Sequence, residues 1–259
     1  MYRLLGIGKT GFNAIQNKVD AIADELSNSN TFGYKRKEIG FQELLTNEVH
    51  GNDVILSNNV NHGRINVGTK SGISTINFQQ GTTVPSTGEF HMAIEGSGFF
   101  GVYNREGDLI LTRNGGFHIN EDNSISDDNG NILSLDLDIP FDNWGSGEIS
   151  ISREGEVSQS IGDENIILGR VILYSPQVLD SLIPLGEGGY MPSPNVPLYN
   201  SLDNEVGFGS IIQFALEASN VEISKSMTDL IAAQRSYSFN AKALQSTDEI
   251  MSIVNNIKR

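Results

Sequence analysis

A mainly β central domain, with N- and C-terminal helices forming a coiled-coil-like assembly domain, is the fold class the sequence predicts. Three observations lead there. Each end of the chain carries an apolar series at alternating three- and four-residue spacing. The centre is a run of short alternating segments bounded by Gly, Asn and Asp. The charge map also separates ends from centre: residues 1–50 hold six basic and six acidic side chains and residues 216–259 five of each, while residues 51–215 hold six against 21. Balanced ends suit close packing, and an acidic centre suits a solvated, self-repelling surface.

In chain order, Leu5, Gly8, Phe12, Ile15, Val19, Ile22 and Leu26 predict a helix over about residues 3–27, closed by the polar run Ser27 to Thr31. Gly33 reads as a turn or a helix exit, and the basic triplet Lys35-Arg36-Lys37 as a solvated turn. A short helix is expected between Ile39 and Val49, with Phe41, Leu44 and Leu45 on one side. Residues 50–90 are rich in Gly, Asn, Ser and Thr, and read as an extended connection with strand-like pieces at Arg64–Val67 and Ile73–Phe78. So long a connection should lie along a neighbour or along the helices.

From Glu89 the signals become those of a small all-β domain. Phe90, Met92 and Ile94 alternate, Gly96-Ser97-Gly98 turns into Phe99–Tyr103, and Asn104–Asp108 turns into Leu109–Thr112. Further strands are expected at Phe117–Ile119, Ile132–Leu135, Ser150–Ser152, Val157 and Ile166–Tyr174. Residues 176–197 hold five of the seven prolines and read as a loop or extended return path. Gly207 to Ser210 leads into the closing element, a long helix over Leu216–Lys258 without Pro or Gly. Ile223, Leu230, Tyr237, Leu244 and Met251 recur every seven residues there, with Asn220, Met227, Gln234, Ala241 and Asp248 at the intervening position. Such a period marks a supercoiled seam. A seam with polar residues at every other position requires a partner helix, and the N-terminal helix is the simplest one. The resulting organisation is an N-terminal helix and loop over 1–45, a linker over 46–88, an acidic all-β domain over 89–206 and an assembly helix over 207–259.

The same residues exclude several classes of function. A formal net charge of −15 speaks against a nucleic-acid surface, which needs concentrated positive charge. No run approaches the length of a membrane span, so membrane insertion is not expected. The N-terminal apolar patch is too short for a secretory core, and an exported form would need a route that reads no cleaved signal. Without cysteine there is neither a disulfide framework nor thiolate chemistry. His50, His62, His91 and His118 lack partners at ligand or catalytic spacing. The acidic loop 121–131 lacks the spacing and closing Glu of a calcium loop, and Gly96-x-Gly98 opens no helix, so no metal, no cofactor and no catalytic residue is expected.

Several motifs in order resemble the flagellar axial proteins, the rod proteins of the basal body and their relatives in the hook. Asn28, Asn30, Thr31, Gly33, Tyr34 and Lys35 resemble the signature that closes the family's N-terminal helix, and Phe41–Leu45 continues it. Ala93–Phe100 and Thr112–Phe117 resemble the central motifs, and Leu216–Val221 with Gln234–Tyr237, Asn240 and Lys242 the C-terminal one. Length and central motifs are most similar to the rod proteins designated G and F, with the distal G type favoured. The resemblance implies a structural subunit exported unfolded through the flagellar export apparatus. Its terminal helices would fold on joining a helical, torque-transmitting tube, beside other rod and hook proteins and with the β domain outside. Asn28, Asn30 and Gly33, together with Leu216 and the seam residues of both helices, are the assembly-interface candidates. The alternatives are a hook-type or proximal rod protein, or a non-flagellar secreted β domain on a coiled-coil stalk.

Overall fold

The computed structural model describes residues 2–43, 47–49, 63–65, 69–122, 124–145, 147–161, 164–203 and 207–257. The chain divides into two units. One comprises 1–27, 37–76 and 222–259, and the other 28–36 and 77–221.

The first unit is built on helix α1 (Tyr2–Ser27) and helix α2 (Ile223–Ile257). They run antiparallel. Phe12 packs on Tyr237 with ring centroids 4.2 Å apart and the rings tilted by 43°, and Ser226 Oγ donates to Glu25 Oε2 at 3.0 Å near the other end of the pair. Ala14 and Ile22 are buried on α1, while Phe12, Ile15, Val19 and Leu26 are half-buried. A second layer covers α1: strand Lys37–Glu43 pairs antiparallel with Thr69–Ile76 through a bulge between Ile39 and Phe41. Lys37 Nζ reaches Asp24 Oδ2 at 2.7 Å, Lys18 sits over the Phe41 ring, and the Thr69 N–H donates to Thr10 Oγ1. The short helix expected from Ile39 is therefore a strand up to Glu43, because pairing with Thr69–Ile76 satisfies its backbone; Leu44 and Leu45 lie outside the described residues. So do residues 50–62 of the expected linker, whose later part is this strand partner.

The second unit is all β. A nine-stranded sheet runs, along its main path, Ile183–Gly186, Gly189–Met191, Leu109–Thr112, Phe99–Tyr103, Ile132–Leu133, Ile125–Ser126 and His118–Ile119, with Leu173–Pro176 and Leu198–Asn200 attached through Phe99–Tyr103. A four-stranded sheet orders Leu135–Leu137, Glu164–Val171, Glu156–Ile161 and Glu148–Ile151. The core between them includes Phe100, Val102, Phe117, Trp144, Val157 and Leu168.

Most of the expected strands form, with instructive differences. Met92, Ala93 and Ile94 are all buried, so this strand is enclosed on both faces and its alternation does not separate core from solvent. The run Ile132–Leu135 is two strands in different sheets. Ser134 is the switch between them, its N–H donating to Gly101 O and its Oγ within 2.9 Å of Tyr174 OH. The proline-rich return path contains a hairpin, Ile183–Gly186 with Gly189–Met191, turned by Gly186, Glu187 and Gly188 at positive φ. Pro184 is tolerated there because its strand ends the order and needs no donor on its free side.

The largest correction concerns the end of the β unit. The helix expected from Leu216 starts at Ile223. Ser210–Gln213 pairs with Met92–Glu95, and Ala215–Glu217 pairs with Thr83–Pro85. Leu216 and Glu217 are buried in that strand, and Asn220 lies beyond it in the β unit. Burial against the β core outweighs the helical period of this short stretch.

Candidate assembly interface

Within the first unit, the face of α2 turned to α1 is made of Ser226, Leu230, Ala233, Tyr237, Asn240, Leu244, Thr247 and Met251, all buried or half-buried. Four of the expected seam residues, Leu230, Tyr237, Leu244 and Met251, are among them, and Ala241 flanks them half-buried. The intervening position is displaced by one residue. Ser226, Ala233 and Asn240 fill it, while Met227 and Gln234 are exposed, as is Ile223. For Asn240 the reason lies on α1. At Gly8 an added Cβ would meet the Leu244 side chain, and at Gly11 it would meet Asn240. Asn240 Nδ2 donates to Gly8 O at 3.0 Å. The two glycines thus seat Leu244 and Asn240 against α1, and Ser226 and Ala233 are buried further along the same face, with Ser226 bonded to Glu25. Leu5 lies in the first turns of α1, with its side chain outside the description.

The remaining surface of α2 is conspicuously apolar. Met227, Ile231, Ile250, Ile253 and Val254 are about half-exposed, and Phe239 is 77% exposed. Phe239 and Ile231 line a shallow groove of about 500 Å³ with Gln234, Arg235, Ser238 and Lys242. A helix apolar on more than one face has use for more than one partner.

Within the second unit, the loop after α1 and the strand before α2 are fastened by a buried ion cluster. Gly33, at φ +71°, turns the loop so that its N–H donates to Glu217 O at 2.8 Å. Lys35 follows, and its Nζ donates to Glu217 Oε1 at 2.6 Å and to Gln79 O at 2.7 Å. The second carboxylate oxygen takes Arg113 Nη1 at 3.1 Å, while Arg113 Nη2 donates to Gly96 O at 2.8 Å. The Gly81 N–H completes the shell of Glu217 Oε1 at 2.8 Å. Lys35 and Glu217 are each 1% exposed. Lys35 is thus not part of a solvated turn; its ammonium has exchanged water for one carboxylate and one carbonyl.

Burial pushes the Lys35 ammonium below the ordinary lysine value, opposed by its hydrogen bond to Glu217. Burial likewise lowers Arg113 from the usual arginine value. Aromatic rings seal the site. Arg113 lies 5.2 Å from the centroid of Phe99, which packs edge-on with Phe78 and Tyr190. Tyr190 is pushed up to about 12, first by burial and then by the Glu217 charge.

Asn220 is the second fastener. Its Oδ1 accepts from the Arg36 N–H at 2.7 Å, and its Nδ2 donates to Asn77 O and Gln79 O at 2.8 and 3.0 Å. Asn28 and Asn30 belong to the turn before this loop, where the Thr31 hydroxyl donates to Asn28 Oδ1. Sequence reasoning placed Lys35, Arg113 and Glu217 inside family motifs without giving any of them a role. The available signal was three charged residues in otherwise apolar or turn-forming motifs.

Comparison with known proteins joins these two regions. Residues 212–257 match the family described as flagellar basal body rod FlgEFG protein C-terminal, covering the last strand, Glu217, Asn220 and α2. Residues 93–159 match the flagellar hook protein FlgE/F/G D1 domain, covering Arg113 and much of the β core. Over the whole chain, the flagellar basal-body rod protein FlgG of Agrobacterium fabrum is 31% identical over 263 residues, covering 97% of this chain and 98% of its own. The FlgG of Borreliella burgdorferi is 32% identical over 276 residues, covering both chains fully. The hook-basal body complex protein FlhP of Bacillus subtilis is 28% identical over 283 residues. With relatives this similar along its entire length, the chain belongs to the FlgG family of flagellar basal-body rod proteins.

Proposed function

We propose that this protein is a structural, non-catalytic subunit of the flagellar basal-body rod that polymerises through α1 and α2 into the wall of a helical tube carrying torque from motor to hook. The observation that carries the reading is the second apolar face of α2. Phe239, Ile231 and Met227 stand exposed on a helix whose other face is already occupied by α1. Burying a phenylalanine side chain stabilises by about 1.5–3 kcal/mol, so repeating such contacts around a tube yields a stiff wall from individually modest parts.

In this reading Ile223, Met227 and Gln234 contact neighbouring copies, whereas Leu230, Tyr237, Leu244 and Met251 hold the subunit's own helices together. The excess of carboxylates in the β unit keeps that unit at the solvent side of the polymer. The flagellar export apparatus delivers the chain, and other rod and hook proteins cap its two ends.

Electron microscopy of basal bodies from a strain lacking this chain tests the reading. The expected result is a basal body that stops before the distal rod and carries no hook, restored by the wild-type chain. Complete hooks and filaments in the deletion strain would sink the assignment.

A further inference from the structure

We propose that Glu217 is a closing bolt for the β unit: the unit remains unfinished until the strand carrying this carboxylate docks, which makes completion of the fold conditional on the C-terminal part of the chain. Four observations converge on this order of events.

The first is topology. Thr83–Pro85 and Met92–Glu95, the strands that open the unit, have as ladder partners the strands that close it, Ala215–Glu217 and Ser210–Gln213, each in a two-stranded sheet. Until residues 210–217 arrive, those strands lack the partners the finished fold gives them.

The second is electrostatic. Lys35 and Arg113 converge on one carboxylate, and both are buried. Without Glu217 the site would hold two cations and no anion, and burying unpaired like charges is prohibitive. The two cations therefore keep the site open and hydrated until Glu217 enters it.

The third is sequence separation. Glu217 bonds across 182 residues to Lys35, 136 to Gly81 and 104 to Arg113. The hairpins of the two larger sheets pair neighbours in sequence, as in Phe99–Tyr103 with Leu109–Thr112 and Glu148–Ile151 with Glu156–Ile161. Local pairings close at smaller entropic cost and form earlier.

The fourth is the N-terminal side of the same site. The Gly33 N–H donates to the backbone carbonyl of Glu217, the Asn220 N–H to Tyr34 O and the Arg36 N–H to Asn220 Oδ1. Residues 28–36 are thus held in the β unit by the strand that closes it and the turn that follows.

Pulse-labelling hydrogen exchange during refolding of the full-length chain tests the order. The amides of Gly33 and Gly81, which bond to Glu217, and of Ala218, which bonds to Thr82 O just before the partner strand, should gain protection at least ten-fold more slowly than those of the Phe99–Tyr103 and Glu156–Ile161 ladders. Simultaneous or earlier protection overturns the proposal. Urea-jump kinetics read through Trp144, the only tryptophan and a member of the core, provide an independent arm. Glu217→Gln should speed unfolding more than ten-fold while changing refolding less than two-fold, the pattern of a late contact. Refolding slowed in proportion to the lost stability would place Glu217 in the folding nucleus and refute the bolt. If Glu217→Gln does not fold, Glu217→Asp keeps the charge on a shorter arm and should show the same asymmetry at smaller amplitude. Lys35→Met added to Glu217→Gln should recover part of the unfolding rate by removing one orphaned cation, and additive damage would contradict the electrostatic reason for the order.

Discussion

Lys35 and Glu217, 182 residues apart in the chain, meet at 2.6 Å with both side chains withdrawn from water. Arg113 approaches the same carboxylate from the other side. An ion pair with this burial is held by its extra hydrogen bonds, from Gly81 to the carboxylate and from Lys35 to Gln79, and depends on all of them being present.

Asn220 discriminates between two descriptions of the closing segment. If it were a polar position of a helical seam, Asn220→Leu would strengthen helix association. In the structure its amide joins Arg36, Asn77 and Gln79. Asn220→Leu is therefore expected to destabilise the β unit by about 2–4 kcal/mol, from three lost hydrogen bonds and the polar groups left behind. Urea denaturation followed at Trp144 measures it, and a gain in midpoint would contradict the assignment.

Gly33 permits the turn that presents Lys35. Its φ is +71°, and a Cβ would run into the backbone of Asn114 and Arg113. Neither obstacle is a movable side chain. Gly33→Ala should cost at least about 2 kcal/mol of β-unit stability, whereas the same change at exposed Gly107, with open space around its Cβ, carries only the positive-φ penalty of about 1 kcal/mol.

Alkaline stability should report Tyr190. Its folded-state value is pushed up from 10.0 to about 12, so between these limits the unfolded chain loses the phenolic proton while the folded chain keeps it. The stabilisation is complete below about pH 10 and is lost as pH rises towards 12, in total about 2–3 kcal/mol. Lys35 has the opposite sign, because its lowered value makes the unfolded chain the better proton binder as pH approaches the ordinary lysine range. Comparing wild type with Tyr190→Phe cancels that contribution. A variant as alkali-sensitive as wild type would rule out the Tyr190 account.

The two faces of α2 should respond differently to substitution. Gly8→Leu wedges a branched side chain against Leu244 and should lower the helical content of the free chain by circular dichroism. Phe239→Ser alters a side chain 77% exposed and should leave that signal unchanged while abolishing polymerisation in an assembly assay. Equal loss of helix in both variants would show that Phe239 packs within the subunit.

Much of this architecture is legible in the sequence, and the failures have physical causes. Heptad spacing locates Leu230, Tyr237, Leu244 and Met251, because one seven-residue series suffices to find a face. It does not decide whether Ala233 or Gln234 completes that face. The choice depends on the surface of the other helix, where Gly8 and Gly11 receive Leu244 and Asn240, a pairing that a single helix's period does not contain. Turn chemistry locates the hairpins, since Gly, Asn and Asp act locally. Lys35 reads as solvated because its immediate neighbours are charged, while the carboxylate that buries it lies far along the chain. The helical reading of Leu216 fails likewise: Asn220 carries the period back beyond Ile223, while the strand partner Thr83–Pro85 lies more than a hundred positions away.

The fastening of Lys35 to Glu217 and of Arg36 to Asn220 has a mechanical meaning. The chain passes from α1 into the β unit at residue 28 and from the β unit towards α2 after residue 221, and a few hydrogen bonds and one ion cluster bridge residues 33–36 to residues 217–220 directly. Tension along the backbone at either point is carried across that bridge before it can reach the sheets. The nine-stranded sheet and its core stand outside the force path, as a pendant does on a closed ring. A subunit loaded through its helices would thus yield first at Glu217 and Asn220, with Trp144 and the residues around it still packed.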